Sequence, residues 1–335
     1  MTAETALDDV LLAPRFSLGV LPTPLVPAPR LAEQVGARAL LLVKRDDLAG
    51  FVTAGSKVRP LELLLGHAVE QGYDTLVTAG VAGSSFCQAA ATAAHIAGLR
   101  CQLLLPGERT DEVPANLAMA LACGAEVTFT GQPRERLDDL VRERAARLTR
   151  SGRRAMGVPR GGADEVGALG FVLGAAELAD QLSAAGVDEA RIVIAVGSGG
   201  SVSGLLVGRS RLRLDWAVTG VSVSRPLPGL DDHLAALVTR CAQRAGVDDP
   251  GTSALTLVAS RGRAHGPADA EELECARLAL VTEGLLLDDA YTARSGLVAT
   301  QLSRTPGPPV VLWHTGGLVR AVTDYDHGAR NEETR

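Results

Sequence analysis

Arg191-Ile-Val-Ile-Ala-Val196-Gly197-Ser198-Gly199-Gly200-Ser201 passes from an uninterrupted apolar segment directly into glycine and serine, and an apolar helix follows from Val202. A strand buried on both faces of a sheet is apolar at every position instead of alternate ones. Glycines at its end let backbone N–H groups approach an anion, and a helix starting there adds roughly half a positive charge. Strand, glycine turn and helix start together describe an anion cradle at the edge of a parallel sheet, with Ser198 and Ser201 as extra hydroxyl donors. A tight turn holding no ligand would use the same residue types, so what faces the loop decides between the two.

Working outward, similar strand-like segments occur at 39–43, 74–79, 101–105, 125–130, 217–223 and 309–313. Helical segments at 59–71, 85–98, 113–123, 134–150, 165–184 and 269–283 separate them. This alternation predicts an α/β protein with open, mostly parallel sheets and helices on both faces. A length of 335 residues suggests roughly two units of ~150 residues each. Pro14, Pro22, Pro24, Pro27 and Pro29 predict an extended, wrapping N-terminal segment. The stretch 155–163 is the candidate crossover between lobes, and 326–335 reads as a polar tail.

Composition removes several function classes. Hydrophobic residues make up 46% of the chain and charged residues 21%, as in an ordinary globular protein, while aromatics at 3% leave Leu, Val and Ala to fill the core. The net charge of −6, with no basic stripe, argues against a nucleic-acid partner. No apolar run approaches the ~18 residues of a membrane span. The acidic start Met1 to Asp9 is unlike a signal peptide. Five cysteines without CxxC spacing predict reduced thiols, no metal site and a cytoplasmic setting.

Among 33 basic residues only two, Lys44 and Lys57, are lysine. Arginine serves wherever charge alone is needed, but only lysine can lose its proton and attack a carbonyl carbon. Lys57 follows the loop Gly50 to Ser56 and opens an apolar helix, which makes it the candidate nucleophile. The dinucleotide pattern G-x-G-x-x-G fails at Val202, and a Walker A loop fails because Ser56 precedes Lys57 and Val58 follows it. A short glycine–serine cup suits a single phosphomonoester. Pyridoxal 5'-phosphate combines that group with an aldehyde that needs a lysine. Trp313-His314-Thr315-Gly316-Gly317 closes the strand 309–313 and should share a crevice with the cup. Ser84-Ser85 starts a helix whose N-terminus could hold a substrate carboxylate, although both serines also suit simple capping.

With these residues assembled, the chain resembles the fold-type II pyridoxal-phosphate enzymes, which are tryptophan synthase β-like, and within them the D-cysteine desulfhydrase/1-aminocyclopropane-1-carboxylate deaminase family. Pro22-Thr23-Pro24-Leu25 and Lys44-Arg45-Asp46-Asp47-Leu48 look like its opening signatures, and Gly55-Ser56-Lys57-Val58-Arg59 matches its G-N-K-V-R motif. Val158-Pro159-Arg160-Gly161-Gly162 with Leu169-Gly170-Phe171 resembles its P-x-G-G…L-G-Y segment, and His314-Thr315-Gly316-Gly317 its H-T-G-G. The resemblance implies that Lys57 carries the cofactor as a Schiff base and moves the substrate's Cα proton, with Ser84 and Tyr291 also catalytic. It implies that Gly197, Ser198, Gly199, Gly200 and Ser201 hold the phosphate and Thr315 the pyridine nitrogen. Ser84, Ser85, Phe86 and Gln88 would line the substrate side, and Lys44 would pair with the nearby acids. It further implies a large cofactor-binding domain (1–50 and 162–335), a small substrate-side domain (51–161) and a homodimer.

The departures concern the substrate. Where the family writes Ser-Asn-His (or Gln)-x-Arg-Gln, this chain has Ser84-Ser85-Phe86-Cys87-Gln88-Ala89, which makes the pocket more apolar and hints at a bulkier or differently anchored amino acid. The Asn before the lysine is Ser56, and Tyr-x-Gly-Lys reads Tyr291-Thr292-Ala293-Arg294. Ring-opening members resemble one another in carrying Glu after the tyrosine and Leu in place of the H-T-G-G threonine, so Thr292 and Thr315 side with the desulfhydrase-like members. The expected function is a lyase or deaminase acting by α,β-elimination on a β-substituted amino acid. The alternatives are β-replacement, ring-opening deamination, or a cofactor-bound regulator without turnover.

Overall fold

The computed structural model describes residues 13–109, 111, 113–261 and 268–323. Two sheets divide the strands. The larger has the order β1 (Leu25–Pro27), β2 (Leu41–Arg45), β10 (Val310–His314), β7 (Glu189–Val196), β8 (Asp215–Ser222), β9 (Leu255–Ala259). Within it only the edge pair β1–β2 is antiparallel. The smaller is all parallel, in the order β5 (Glu126–Phe129), β4 (Arg100–Leu105), β3 (Thr75–Ala79), β6 (Ala155–Gly157).

The continuous apolar runs have the cause expected of them. Along β7, Ile192, Ile194 and Val196 pack on the helices α6 (Glu165–Ala184), α7 (Gly200–Arg211) and α8 (Leu230–Arg244). The alternate residues Val193 and Ala195 face the opposite layer, built on α9 (Ala270–Glu283) and α10 (Thr292–Ser303). The smaller sheet is covered in the same way. Leu76 and Leu103 meet α2 (Val58–Glu70), α3 (Ser85–Ile96) and α4 (Ala115–Ala122), whereas Val77 and Leu104 meet α5 (Leu137–Arg150).

Two expectations change, and a third falls outside the described residues. The proline-rich N-terminal segment stays extended through Leu25–Pro27, which pairs with β2, but then turns into the helix α1 (Pro29–Gln34), which starts on a proline, where no N–H is needed. The crossover is shorter than 155–163, because Ala155–Gly157 is a strand paired with Thr75–Val77, and Arg160–Gly162 forms a tight turn before α6. The tail expected at 326–335 lies outside the described residues.

Lys44 is also paired differently from the expectation. It is fully buried, and its amine donates to Glu177, to Gln181 Oε1 at 2.7 Å and to the Thr23 carbonyl at 2.7 Å, whereas Asp46 and Asp47 take arginines. Arg59 Nε and Nη2 fork onto Asp46 at 2.8 Å each, and Nη1 and Nη2 reach Glu177 at 2.9 Å. Trp313 Nε1 donates to the same Asp46 carboxylate at 2.7 Å. Burial works against the charge on Glu177, but hydrogen bonds and charge from Arg59, then Lys44, hold its carboxyl down at about 2.

Removing one member of such a network leaves buried charge without a partner. Asp46→Ala should cost about 3–5 kcal/mol of stability, read as a lower urea midpoint. A midpoint equal to wild type would show that the network does not bear on stability.

Candidate active site

Strands β7 and β10 are parallel neighbours, with Val310 opposite Arg191 and Leu312 opposite Val193. The segments leaving their carboxyl ends, Gly197–Ser201 and Thr315–Gly317, therefore emerge side by side. With Lys57, Ser84, Ser85 and Phe86 they line a cleft of about 240 Å³. Cleft formation at the carboxyl ends of parallel strands is the general rule for this architecture.

The cup is built on Gly199, which lies in the left-handed region at φ 101° and has no side-chain cap on the helix it opens. A Cβ there would come within 2.6 Å of Leu234. The first amides of α7 thus face the cleft region with no side chain from their own cap to satisfy them, as an anion site requires. His233 Nε2 meets the Ser198 carbonyl at 2.8 Å and fixes that side of the cup.

Lys57 ends the turn Gly55–Lys57 and its side chain is half-buried. Its amine lies 3.7 Å from the point where a Cβ on Gly161 would sit, and Ser198 Oγ lies 2.5 Å from the same point. Burial alone brings the amine down to about 8 from the ordinary lysine value, and among the described residues no charged partner offsets it. Below that pH the amine is charged, and above it the neutral nucleophile predominates.

Loop 314–317 is locked against the lysine turn backbone to backbone. The Ser56 N–H donates to the Thr315 carbonyl at 2.9 Å, and a Cβ on Gly55, at φ 55°, would stand 2.3 Å from that carbonyl oxygen. His314 is buried and kept neutral by desolvation. Its Nε2 meets the Leu286 carbonyl at 3.1 Å, and its Nδ1 accepts the Gly316 N–H at 3.3 Å. Those bonds shape the turn that puts Thr315 on the cleft wall.

Lys57, Ser84, Ser85, Phe86, Gly197, Ser198, Gly199, Ser201, Tyr291 and Thr315 all line the cleft. Gly200 sits just behind it, within the first turn of α7. Gln88 does not belong there. It is one turn deeper on α3, fully buried, with its amide donating to Thr92 Oγ1 at 3.1 Å. Ser84 also caps α3 by accepting the Cys87 N–H at 3.2 Å. Phe86 is 3% exposed and its ring packs at Gly162, so it fills the floor without enlarging the pocket. Tyr291, 40% exposed, lays its ring edge against Gly197. Thr292 does not face the cleft, since its hydroxyl is buried and donates to Asp288 Oδ1 at 2.6 Å. The cleft also contains residues the sequence reading left unassigned, namely Arg134, Arg160, Ser224, Asp288 and Arg320. Arg160 stood inside a quoted motif, but nothing local marks Arg134 or Arg320.

A desolvated lysine without an acid partner, an uncapped glycine cup and a hydroxyl on the facing loop fit pyridoxal phosphate. Residues 16–316 match the family model described as pyridoxal-phosphate dependent enzyme. The chain belongs to that family. A D-cysteine desulfhydrase of Serratia proteamaculans is 34% identical over 318 residues, covering 91% of this chain and 94% of that one. A Pyrococcus abyssi protein, provisionally named a 1-aminocyclopropane-1-carboxylate deaminase, is 33% identical over 315 residues, covering 92% and 94%. A crystal structure described as an ACC deaminase homologue superposes with a TM-score of 0.87 at 30% identity, covering 96% of this chain and 97% of that one. The protein is thus a pyridoxal-phosphate-dependent α/β enzyme of the fold-type II kind. Among the described residues no helix is long and apolar enough to cross a membrane.

Two outcomes follow from this geometry. Gly55→Ala forces a left-handed alanine against the Thr315 carbonyl and should weaken cofactor binding about tenfold or more, measured by absorbance titration. Unchanged affinity would mean that the two loops are not locked as described. Capture of pyridoxal phosphate by the cofactor-free protein should speed up as pH rises towards about 8 and level off above it, followed by stopped-flow absorbance. A rate flat between pH 6 and 9 would contradict a desolvated amine.

Proposed function

We propose that this enzyme is a lyase that removes the Cα proton and the β-substituent of an amino acid by α,β-elimination, releasing ammonia and a keto acid. The observation that carries the reading is the meeting of Lys57, the Gly197–Ser201 cup and Thr315 in one cleft. Bound there, the cofactor supplies the electron sink that lets the Cα–H bond break.

The chain's own residues then have distinct tasks. Lys57 would hold the cofactor through Nζ, and the same amine would take the substrate's Cα proton. An amine near 8 is partly neutral at physiological pH and so can act as that base. The amides of Gly197 to Ser201 and the hydroxyls of Ser198 and Ser201 bind the phosphate. Thr315, on the cleft lining, would offer its hydroxyl to the pyridine nitrogen. A hydroxyl does not hold that nitrogen protonated as a carboxylate would, which favours prompt departure of a β leaving group over long-lived carbanion chemistry. Ser84 and Ser85, at the start of α3, orient the substrate carboxylate, and Tyr291 flanks the reacting carbons.

The relatives' names divide between desulfhydrase and ring-opening deaminase. Thr315 on the cleft wall favours simple elimination. Thr292 no longer contributes to that choice, because its hydroxyl is spent on Asp288. As part of the same reading, residues 1–50 and 162–335 form the cofactor-holding lobe and 51–161 the substrate-side lobe, and the enzyme works as a cytoplasmic homodimer.

Borohydride reduction of the holoenzyme followed by digestion should label the peptide containing Lys57, and Lys57→Ala should lose both the label and keto-acid release from 3-chloroalanine. A label elsewhere would overturn the assignment of Lys57. Keto-acid release surviving in Lys57→Ala would overturn the elimination chemistry proposed for it.

A further inference from the structure

Asp288 lines the cleft, is 1% exposed, and takes no direct part in the chemistry above. Its carboxylate gathers the turn that leads into α10. Oδ2 accepts the Ala290 N–H at 3.2 Å and the Tyr291 N–H at 3.1 Å, and Oδ1 accepts the Thr292 N–H at 3.0 Å. The Thr292 hydroxyl locks the acid in place, donating to Oδ1 at 2.6 Å while accepting the Asp288 N–H at 2.7 Å. The first amides of a helix find no acceptor within it, so one carboxylate meeting three consecutive N–H groups fixes three peptide planes at once.

What those planes aim is the Tyr291 ring. A ring 40% exposed has little packing to hold it, so its direction must come from the backbone that carries it. It nevertheless lies against the cup, with Cε1 3.2 Å and the phenol oxygen 3.9 Å from where a Cβ on Gly197 would sit. Gly197 lies outside the left-handed region, so its missing side chain serves this close approach and no backbone need. The Asp288 carboxylate also packs on Gly317, where a Cβ would stand 2.5 Å from Oδ1. The acid therefore touches both the tyrosine turn and the loop that carries Thr315.

We propose that Asp288, locked by Thr292, is the positioning residue for Tyr291 and holds its ring over the cup beside the reacting carbons. The inference rests on the lyase reading, in which Tyr291 flanks those carbons. Asp288 acts only through the tyrosine. A group that must keep its working place during the reaction loses rate when its support is loosened, while substrate affinity stays. Asparagine keeps one accepting oxygen and puts a donor where the other stood, so Asp288→Asn loosens the turn without emptying its space. Thr292→Val keeps the shape and removes only the hydroxyl.

The test is a double-mutant cycle on holoenzyme with 3-chloroalanine as both enantiomers, measuring kcat, KM and cofactor affinity. Asp288→Asn should lower kcat about tenfold and Thr292→Val about threefold, with KM and cofactor affinity within about twofold of wild type. Thr292→Ser should restore most of what Thr292→Val loses. In a Tyr291→Ala background both substitutions should change kcat by less than about twofold. Equal losses with and without the tyrosine would overturn the positioning role and leave the lyase reading intact. A fall in cofactor affinity alongside kcat would assign Asp288 to the cofactor wall through Gly317 and likewise overturn it. If wild type releases no keto acid, the lyase reading falls. In that case, or if Tyr291→Ala turns over too slowly to follow, the cycle is read on Cα-hydrogen exchange of serine in heavy water by NMR. Coupling there supports the positioning role, and no coupling, or no exchange in wild type, overturns it.

Discussion

A single buried carboxylate, Asp46, ties together the three chain segments on which the site depends. It lies just past the end of β2, it holds Arg59 two residues beyond Lys57, and it accepts Trp313 two residues before Thr315. Glu177 on α6 completes the arrangement by receiving Arg59 and Lys44. Buried ion pairs of this kind add little net stability over a well-packed apolar alternative, but breaking one is costly. What the network secures is position. The lysine turn, the threonine turn and the helix α6 cannot shift independently without stranding a charge. Arg59 also lies over the Trp313 ring, 5.7 Å from its centroid, so packing and charge fix the same pair.

The chemistry uses the opposite condition a few ångströms away. Burial lowers both amines from the ordinary lysine value, but Lys44 has a carboxylate and two neutral acceptors that hold it as structure, whereas Lys57 has no charged partner among the described residues. Two lysines of identical composition acquire different roles because one is given an acid and the other is not. The arginines elsewhere can take no such role, since guanidinium does not deprotonate.

The parts legible in the sequence were those whose cause is local. Most of the seven strand segments were readable because a sheet covered on both faces needs apolar residues at every position, whereas the edge strand Glu126–Phe129 shows the alternation of a half-exposed one. The strands Leu25–Pro27, Ala155–Gly157 and Leu255–Ala259 went unread because the first two are only three residues long and the third is a half-exposed edge. The helix Thr292–Ser303 was hidden by buried Thr, Ser and Arg residues that blur its apolar face. At the site, glycines and a rare lysine marked the cofactor wall. Partners set by the tertiary fold left no mark, as with Glu177 under Lys44, 133 positions away, or Arg134 brought to the cleft mouth. Gln88 was misread because a side chain one turn into a capped helix points to the core and away from the cap.

The close approach of Gly55 to the 315–316 backbone divides the enzyme's freedom to change over generations. Any side chain added at Gly55 collides with main chain, so that wall tolerates almost no drift. Ser85 and Arg134 also line the cleft, but they belong to helix ends and turns where no backbone contact of that kind is made through a missing side chain. Selection can therefore retune which amino acid is accepted while the seat of the cofactor stays frozen, which is how one reaction can spread over many nutrients.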